Sequence, residues 1–361
     1  MDRPIILAYY LPQFHPFPEN SKWWGEGFTE WTNVGKARPL FLGHHQPNVP
    51  ADLGYYDLRM PEVRQLQAKL AKEAGIAGFC YWHYWFGGEG RQLLNEIIDE
   101  VRKTGTPDFP FCFGWANETW KAKQWRSDGS GDVVLMEQRY EGRNDYDNHF
   151  MYVLDFFKDK RYVKIDNKPV FLIYKPELLP DDFVPYWNNL AKNHGFNGIY
   201  FIARIGEFDN PEIITDKGIS IYTRERSYHA FRYMSLIEKV LNRFKFLARG
   251  FLGTAISYKT ACKYMVNEEE DYKENFCPVI LPNWDHSPRS GKRSIVLHNS
   301  TPTLFYKHAC QILSNIKGKN NKIVFLKSWN EWGEGNYMEP DLRWGKGYIK
   351  ALSNAINDTF L

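Results

Sequence analysis

The segment SWNEWGEGNYMEP, residues 328 to 340, places Glu331, Glu334 and Glu339 beside Trp329 and Trp332 within thirteen positions. Cleaving or transferring a glycosyl group needs an acid for the leaving oxygen and a second group that stabilises or captures the cationic anomeric carbon. Two neighbouring carboxylates of unlike pKa meet that need. Glu331 and Glu334 are three residues apart, so on a continuing strand they would face opposite sides. A bend brings both to one pocket, and Gly333 and Gly335 can adopt the backbone angles of such a bend. The acids also have plainer readings: Glu331 as a brace of the strand end, and Glu339 as a surface acid.

A second asparagine-glutamate pair, Asn117 and Glu118 in GWANETW, echoes Asn330 and Glu331. Two assignments stand open. Either Glu331 works with Glu334, or Glu118 is the acid and Glu331 the nucleophile. In the first case Glu118 accepts hydrogen bonds from sugar hydroxyls while nearby tryptophans offer a stacking face. Hydroxyl ligands and stacking surfaces are further expected from Tyr9, Gln13 and His15, and from Trp24, Trp31, His45 and Gln46. His83, Tyr84 and Trp115 join them, as do Asn283, Trp284, Asp285 and Arg289 and, in the motif itself, Asn330 and Trp332. His15, His44, His45 and His83 with nearby acids raise a metal site, but no HExxH spacing occurs, so neither metal nor other cofactor is expected. The chain has no Gly-rich phosphate loop and no GxSxG elbow, which argues against nucleotide-dependent transfer and serine hydrolysis.

These residues need a scaffold that gathers them. Eight β-rich runs qualify as strands: IILAYY (5 to 10), IAGFCYW (76 to 82), FPFCFGWA (109 to 116), PVFLIY (169 to 174), GIYFIA (198 to 203), ISIYT (219 to 223), CPVILPN (277 to 283) and KIVFLKSW (322 to 329). Helical patterns such as PEVRQLQAKLAKEAG and LLNEIIDEVRKTG alternate with them and end near glycine. Alternation of this kind predicts an α/β fold with a parallel sheet, and eight strands a closed (β/α)8 TIM barrel spanning 1 to 361 as one domain. The segments after the strands, LPQFHP, HYWFGG, NETWKAKQW, ARIGEFDN, NWDHSPR and NEWGEG, are polar and aromatic, as expected of the C-terminal face where barrel active sites lie.

Two stretches read as additions. Residues 17 to 60 form a long loop after the first strand, and loops this long are functional or disordered; its aromatic content argues against disorder. Residues 225 to 276 hold RYMSLIEKVLNRFKFLARGFLGTAISYK, where Arg232, Lys239, Arg243, Lys245, Arg249 and Lys259 face only Glu238. This helical basic insertion is either an amphipathic helix touching an anionic membrane or, more plainly, a solvated helix packed on the barrel wall.

A net charge of +3 with 25% charged residues offers no general case for nucleic-acid binding. Aromatics reach 17%, and many of the 13 tryptophans sit beside polar residues rather than inside apolar runs. The first residues, MDRPIILAYYLPQFHPF, lack the layout of a secretory signal, and no stretch is long enough to span a bilayer. Cys80, Cys112, Cys262, Cys277 and Cys310 are odd in number and widely spaced, which predicts reduced structural thiols. A cytoplasmic location, with peripheral contact to the inner membrane as an option, is the resulting expectation.

The stretches AYYLPQFHP, WWGEGFTEWTNV, HHQPNVPADLGYYD, FCYWHYWF, FGWANETW and KSWNEWGEGNYMEP resemble the WbsX-type, glycoside hydrolase family 99-like proteins of bacterial polysaccharide gene clusters. The resemblance runs along most of the chain. It implies a (β/α)8 barrel and, from the related endo-mannosidases, retaining hydrolysis without a covalent enzyme intermediate. In that scheme Glu331 would act as base on the sugar 2-hydroxyl, giving an epoxide-like intermediate, and Glu334 as general acid and then base. Glu118 would become a substrate ligand. The relatives compared act on α-mannosides, whereas nothing in this sequence names its sugar or linkage. The expected function is a retaining, endo-acting glycosidase or transglycosidase on a bacterial surface polysaccharide, an O-antigen or its precursor. A glycosyltransferase of the same pathway and a non-catalytic carbohydrate-binding protein are the alternatives.

Overall fold

In a computed structural model of the chain, residues 3–88, 90–122 and 133–360 are described. Nine short strands form the central sheet: β1 (Ile5–Tyr10), β2 (Gly78–Trp85), β3 (Phe111–Trp115), β4 (Lys168–Ile173), β5 (Tyr200–Arg204), β6 (Ile221–Thr223), β7 (Phe276–Cys277), β8 (Val279–Ile280) and β9 (Ile323–Leu326). They pair in the order β7-β6-β5-β4-β3-β2-β1-β9-β8, all parallel. β7 and β8 are two halves of the seventh barrel position. Pro278 between them has no N–H to give a ladder. On one side of it Cys277 pairs with Thr223, and on the other Val279 pairs with Phe325, while the Pro278 carbonyl accepts from Phe325 N at 2.9 Å. The strand thus changes partner at the proline, and this change closes the barrel.

The strands are buried on both faces, which explains their unbroken apolar runs. Helices Pro61–Ala74, Glu96–Thr104, Arg143–Phe157, Phe183–Asn193, Pro302–Asn315 and Gly347–Phe360 cover the outside. Pro61–Ala74 buries Gln67, Ala68, Leu70, Ala71 and Ala74 on one face. Its buried Arg64 is offset by Glu100 at 2.8 Å.

The loop after β1 is ordered by helices Pro18–Trp24 and Glu30–Lys36, and Trp31 Nε1 donates to Tyr56 O at 2.7 Å to fasten it down. After β6 the chain builds helices His229–Tyr233, Leu236–Leu247 and Tyr258–Met265, and a parallel pair, Thr254–Ser257 with Ile295–His298. This addition has its own apolar cluster, including Ile256, Tyr258, Ala261 and Leu297. All five cysteines are free thiols, with Cys80, Cys112 and Cys277 buried. Among the described residues, no helix is long and apolar enough to cross a membrane. Lys123, Gln124 and Trp125 of the expected strand-end segment NETWKAKQW lie outside the described residues.

Candidate active site

Beyond β9 the chain makes a tight hairpin. Asn330 and Glu331 pair antiparallel with Tyr337 and Asn336, and Trp332–Glu334 form a single turn of 3-10 helix between them. Ser328 fixes its base: the hydroxyl lies 2.6 Å from Asn336 O, and Glu331 N donates to that hydroxyl at 3.2 Å. The turn is reversed at Gly335, whose φ of +65 is strained for other residues. Gly333 serves differently. Its φ is ordinary, but a Cβ there would collide with the Glu30 carboxylate and approach Arg289 Nε to 2.9 Å. Of the two glycines expected to bend the chain, one bends it and the other makes room for an ion pair.

That ion pair defines the site. Arg289, on the short helix Ser287–Ser290, reaches Glu334 Oε1 at 2.6 Å and Glu331 Oε1 at 3.2 Å with the same Nη1, and Glu30 Oε2 at 3.1 Å with Nε. Sharing one guanidinium nitrogen brings the two carboxyls to the same corner, where both can act on one sugar. Burial raises the Glu331 carboxyl above the usual range, and the neighbouring Glu334 charge raises it further. Burial opposes ionisation of Glu334 too, but Arg289, His286 and Lys327 overcome it and hold that carboxyl low. The two environments thus favour the protonated form of Glu331 and the charged form of Glu334.

Both glutamates line a cleft of 1020 Å³ at the C-terminal end of the barrel. Of the expected ligands, Gln13, Trp24, Tyr84, Glu118 and Arg289 line it with them. Gln13 Nε2 donates to the Tyr84 hydroxyl at 3.4 Å.

Other expected ligands lie elsewhere, for identifiable reasons. β2 continues to Trp85, so His83, expected after the strand, lies within it. Alternation sends Trp82 and Tyr84 to the cleft and His83 outward to His149 Nε2, 2.8 Å away. Burial pushes the His83 imidazole down to about 3, so it is neutral. Trp115 likewise faces outward, its Nε1 donating to Trp85 O at 2.9 Å. Tyr9 is enclosed between Trp82 and Phe325 inside the barrel, and His15 is buried near Phe17. Trp31 and Trp332 pack on each other with centroids 5.6 Å apart, and Trp332 stacks on Tyr337 at 3.7 Å. Both support the hairpin from behind.

The two asparagines are clamps. Asn330 accepts from Leu11 N at 2.8 Å and donates to Leu11 O at 3.0 Å, tying the end of β9 to the end of β1. Asn117 does the same with Lys175 N and O, both at 2.8 Å, across β3 and β4. The sequence echo is thus a structural one, and in each copy the next residue, Glu331 or Glu118, faces the cleft. Asp285 is a brace: its N–H donates to Glu334 O at 2.8 Å, while its carboxylate holds His44 at 2.8 Å and Gln46 at 2.5 Å. His45 and Asn283 line a separate small cavity, and Trp284 is buried against Tyr228. Glu339, read as a surface acid, is buried and accepts from Trp332 Nε1 at 2.6 Å, Gln67 Nε2 at 2.6 Å and Tyr56 OH at 2.9 Å. Among the described residues, no three metal-ligand side chains converge.

Sequence reasoning missed Glu30 and Lys327. Glu30 precedes a tryptophan in FTEW as Glu331 does in NEW, which was the available signal. Lys327 lies in the cleft wall, 5.1 Å above the Trp284 ring and 3.5 Å from Glu225. Burial disfavours its charge, but Glu225, Glu334 and Glu331 more than restore it. Glu225 in turn is pulled down to about 2, against its burial, by Arg204 and Lys327.

The family model described as "Glycosyltransferase WbsX" matches residues 6–352. Two relatives, both "Uncharacterized protein WxcX" of Xanthomonas campestris pv. campestris, from strains ATCC 33913 and B100, are 35% identical over 362 residues. The match covers 97% of this chain and 49% of theirs, so the chain spans about half the length of these curated relatives. A solved "Glycoside hydrolase-like protein" superposes with a TM-score of 0.61 at 14% identity, covering 99% of this chain and 94% of that one. The GH99 endo-alpha-mannosidase from Bacteroides thetaiotaomicron does so with a TM-score of 0.57 at 14% identity, covering 98% and 97%. These two share the barrel fold. By the extent of the family match and the identity of its relatives, the chain belongs to the WbsX family.

Proposed function

We propose that this protein is a retaining glycosidase or transglycosidase acting on a bacterial surface polysaccharide, an O-antigen or its precursor. The observation that carries the reading is the pair Glu331 and Glu334, bridged by one Arg289 nitrogen and lining one open cleft. Two carboxyls gathered on one cation beside the cleft suit a retaining pair that acts in turn on one sugar. Trp24, Trp82 and Trp120 offer stacking faces along the cleft, which suits an endo-acting enzyme that grips sugars on both sides of the bond.

In the favoured sequence Glu331 takes the 2-hydroxyl proton as O2 attacks the anomeric carbon, and Glu334 protonates the departing oxygen. Water or an acceptor hydroxyl then opens the epoxide-like ring, giving its proton to Glu334 as the C1–O2 bond breaks and Glu331 returns its proton to O2. The protonation that the two environments favour is the reverse of what the first step needs. A sugar inserted between Arg289 and Glu334 removes the cation's hold on Glu334 and so moves the proton across the pair. An α-mannoside, the substrate class named for the solved GH99 enzyme, is the first sugar to offer. The test is incubation with isolated surface oligosaccharide without sugar nucleotide, followed by NMR of the first-formed anomer. Cleavage or transfer with retained configuration is expected, and it should vanish in Glu331→Gln and Glu334→Gln.

The family description favours a second reading, glycosyl transfer from an activated donor. Turnover only with a sugar nucleotide would establish it in place of the first.

A further inference from the structure

Helix Leu236–Leu247 is inverted relative to an ordinary surface helix. Leu236, Ile237, Leu241 and Phe244 form one stripe and are 78%, 72%, 63% and 67% exposed. Its polar side chains instead reach back to the protein. Asn242 Nδ2 donates to Ala255 O at 2.8 Å, Arg243 Nη1 to Leu252 O at 2.9 Å, and Glu238 accepts from Ser235 N and Tyr264 OH, both at 2.9 Å. The helix packs on the protein through Phe246 and these polar groups and leaves the apolar stripe to solvent. Exposed Leu42 and Leu252 extend the apolar surface at the C-terminal end of the helix, where Leu42 N donates to Arg249 O at 3.1 Å. A patch of this kind marks a contact surface.

Its charge says what covers it. Lys239 and Lys245 flank the stripe, Arg232 and Arg249 lie beyond its two ends, and Glu238, the only acid in the helix, is spent on its own cap and on Tyr264. A second copy of this chain would set the same cations against each other across a two-fold axis. We infer that the face seats on an anionic phospholipid bilayer, with the leucine and phenylalanine side chains at the boundary between headgroups and acyl chains and the cations among the phosphates.

The location adds a consequence. The addition leaves the barrel at the C-terminal end of β6, the end on which the cleft opens, and Phe41 meets Phe246 edge-on at 5.4 Å to join it to the loop that carries Trp24 and Glu30. A seated helix therefore tethers the barrel that carries the cleft at the bilayer, where a lipid-linked glycan is presented. This last step rests on the glycan reading of the cleft; the membrane contact does not.

The test is sedimentation of the full chain with phosphatidylcholine vesicles, with and without phosphatidylglycerol. Co-sedimentation with the anionic vesicles is expected, weakened about tenfold or more by Leu241→Ser with Phe244→Ser and, separately, by Lys239→Glu with Lys245→Glu, at unchanged unfolding temperature. Either pair of changes suffices if the other impairs folding. Cleavage of a water-soluble oligosaccharide should survive both, so membrane contact and glycosidase activity fail independently. No binding, equal binding to neutral vesicles, or a concentration-dependent dimer dissolved by Leu241→Ser with Phe244→Ser would each overturn the inference.

Discussion

Arg289 Nη1 lies 2.6 Å from Glu334 Oε1, and it is the cation that lets three acids, Glu30, Glu331 and Glu334, share one buried corner. Arg289→Gln removes the cation that touches all three and leaves only the weaker support of Lys327 and His286, a loss of about 3–5 kcal/mol. The Glu331 carboxyl, already pushed above the usual range by burial and by Glu334, then loses the guanidinium that opposes this and titrates higher still. Folded-state protons are favoured, so the variant should be most stable at acid pH and lose stability as pH rises. Urea unfolding at several pH values reads this directly; a loss that does not depend on pH would sink the account.

The roles of Glu331 and Glu334 separate by leaving group. An acid matters most when the departing oxygen is basic, so a nitrophenyl glycoside should restore much of the turnover of the variant that lacks the acid and none of that lacking the base. The proposed roles predict restoration for Glu334→Gln, with losses of about 10²–10⁴-fold on the natural linkage for either change. Restoration in Glu331→Gln instead would mean that the protonation the two environments favour, with the proton on Glu331, is the working one.

How much of this could be read from sequence depended on range. The eight strands announce themselves because both faces of a barrel strand are apolar, so continuous runs mark them. The NEWGEG glutamates were legible because tryptophan, acid and glycine rarely crowd together without a site. The ends of elements were not. β2 runs three residues past its expected end, to Trp85, so His83 falls within the strand and alternates away from the cleft that Trp82 and Tyr84 line. Asn117 and Asn330 looked like sugar ligands because a buried amide satisfied by a distant backbone carries no local mark. Glu339 looked exposed for the same reason: its partners Tyr56 and Gln67 are more than two hundred residues away. The inverted helix was legible as amphipathic, but which of its faces meets the protein is decided by Asn242, Arg243 and Tyr264, not by periodicity.

Gly333→Ala should impair catalysis more than folding. The added methyl enters the space between Glu30 and Arg289, so the guanidinium must shift away from Glu334 or the hairpin must move. Overpacking of this kind costs about 1–3 kcal/mol, whereas displacing a charge-positioning group from the reacting carboxylates is expected to lower kcat by about 10²-fold. Glu30→Gln with Gly333→Ala should restore little, because the methyl still meets Arg289 Nε. Unchanged kcat with lowered stability would mean that the ion pair is structural alone.

Glu339 supplies a pH test of the hairpin's support. Burial raises its carboxyl to about 7 despite hydrogen bonds from Trp332, Gln67 and Tyr56 that favour the charged form. The unfolded chain holds that proton only below about 4.3. The folded chain therefore binds more protons between these values, and stability is full below the unfolded value and falls as pH rises toward 7, by about 3 kcal/mol from this group. Glu339→Gln removes the titration, at the expense of setting an amide against Gln67 Nε2. The variant should be less stable than the natural protein near pH 5 by about 1–2 kcal/mol, and the gap should narrow or reverse near pH 8. Chemical unfolding at the two pH values checks it: parallel curves for both proteins would show that Glu339 does not carry the proton.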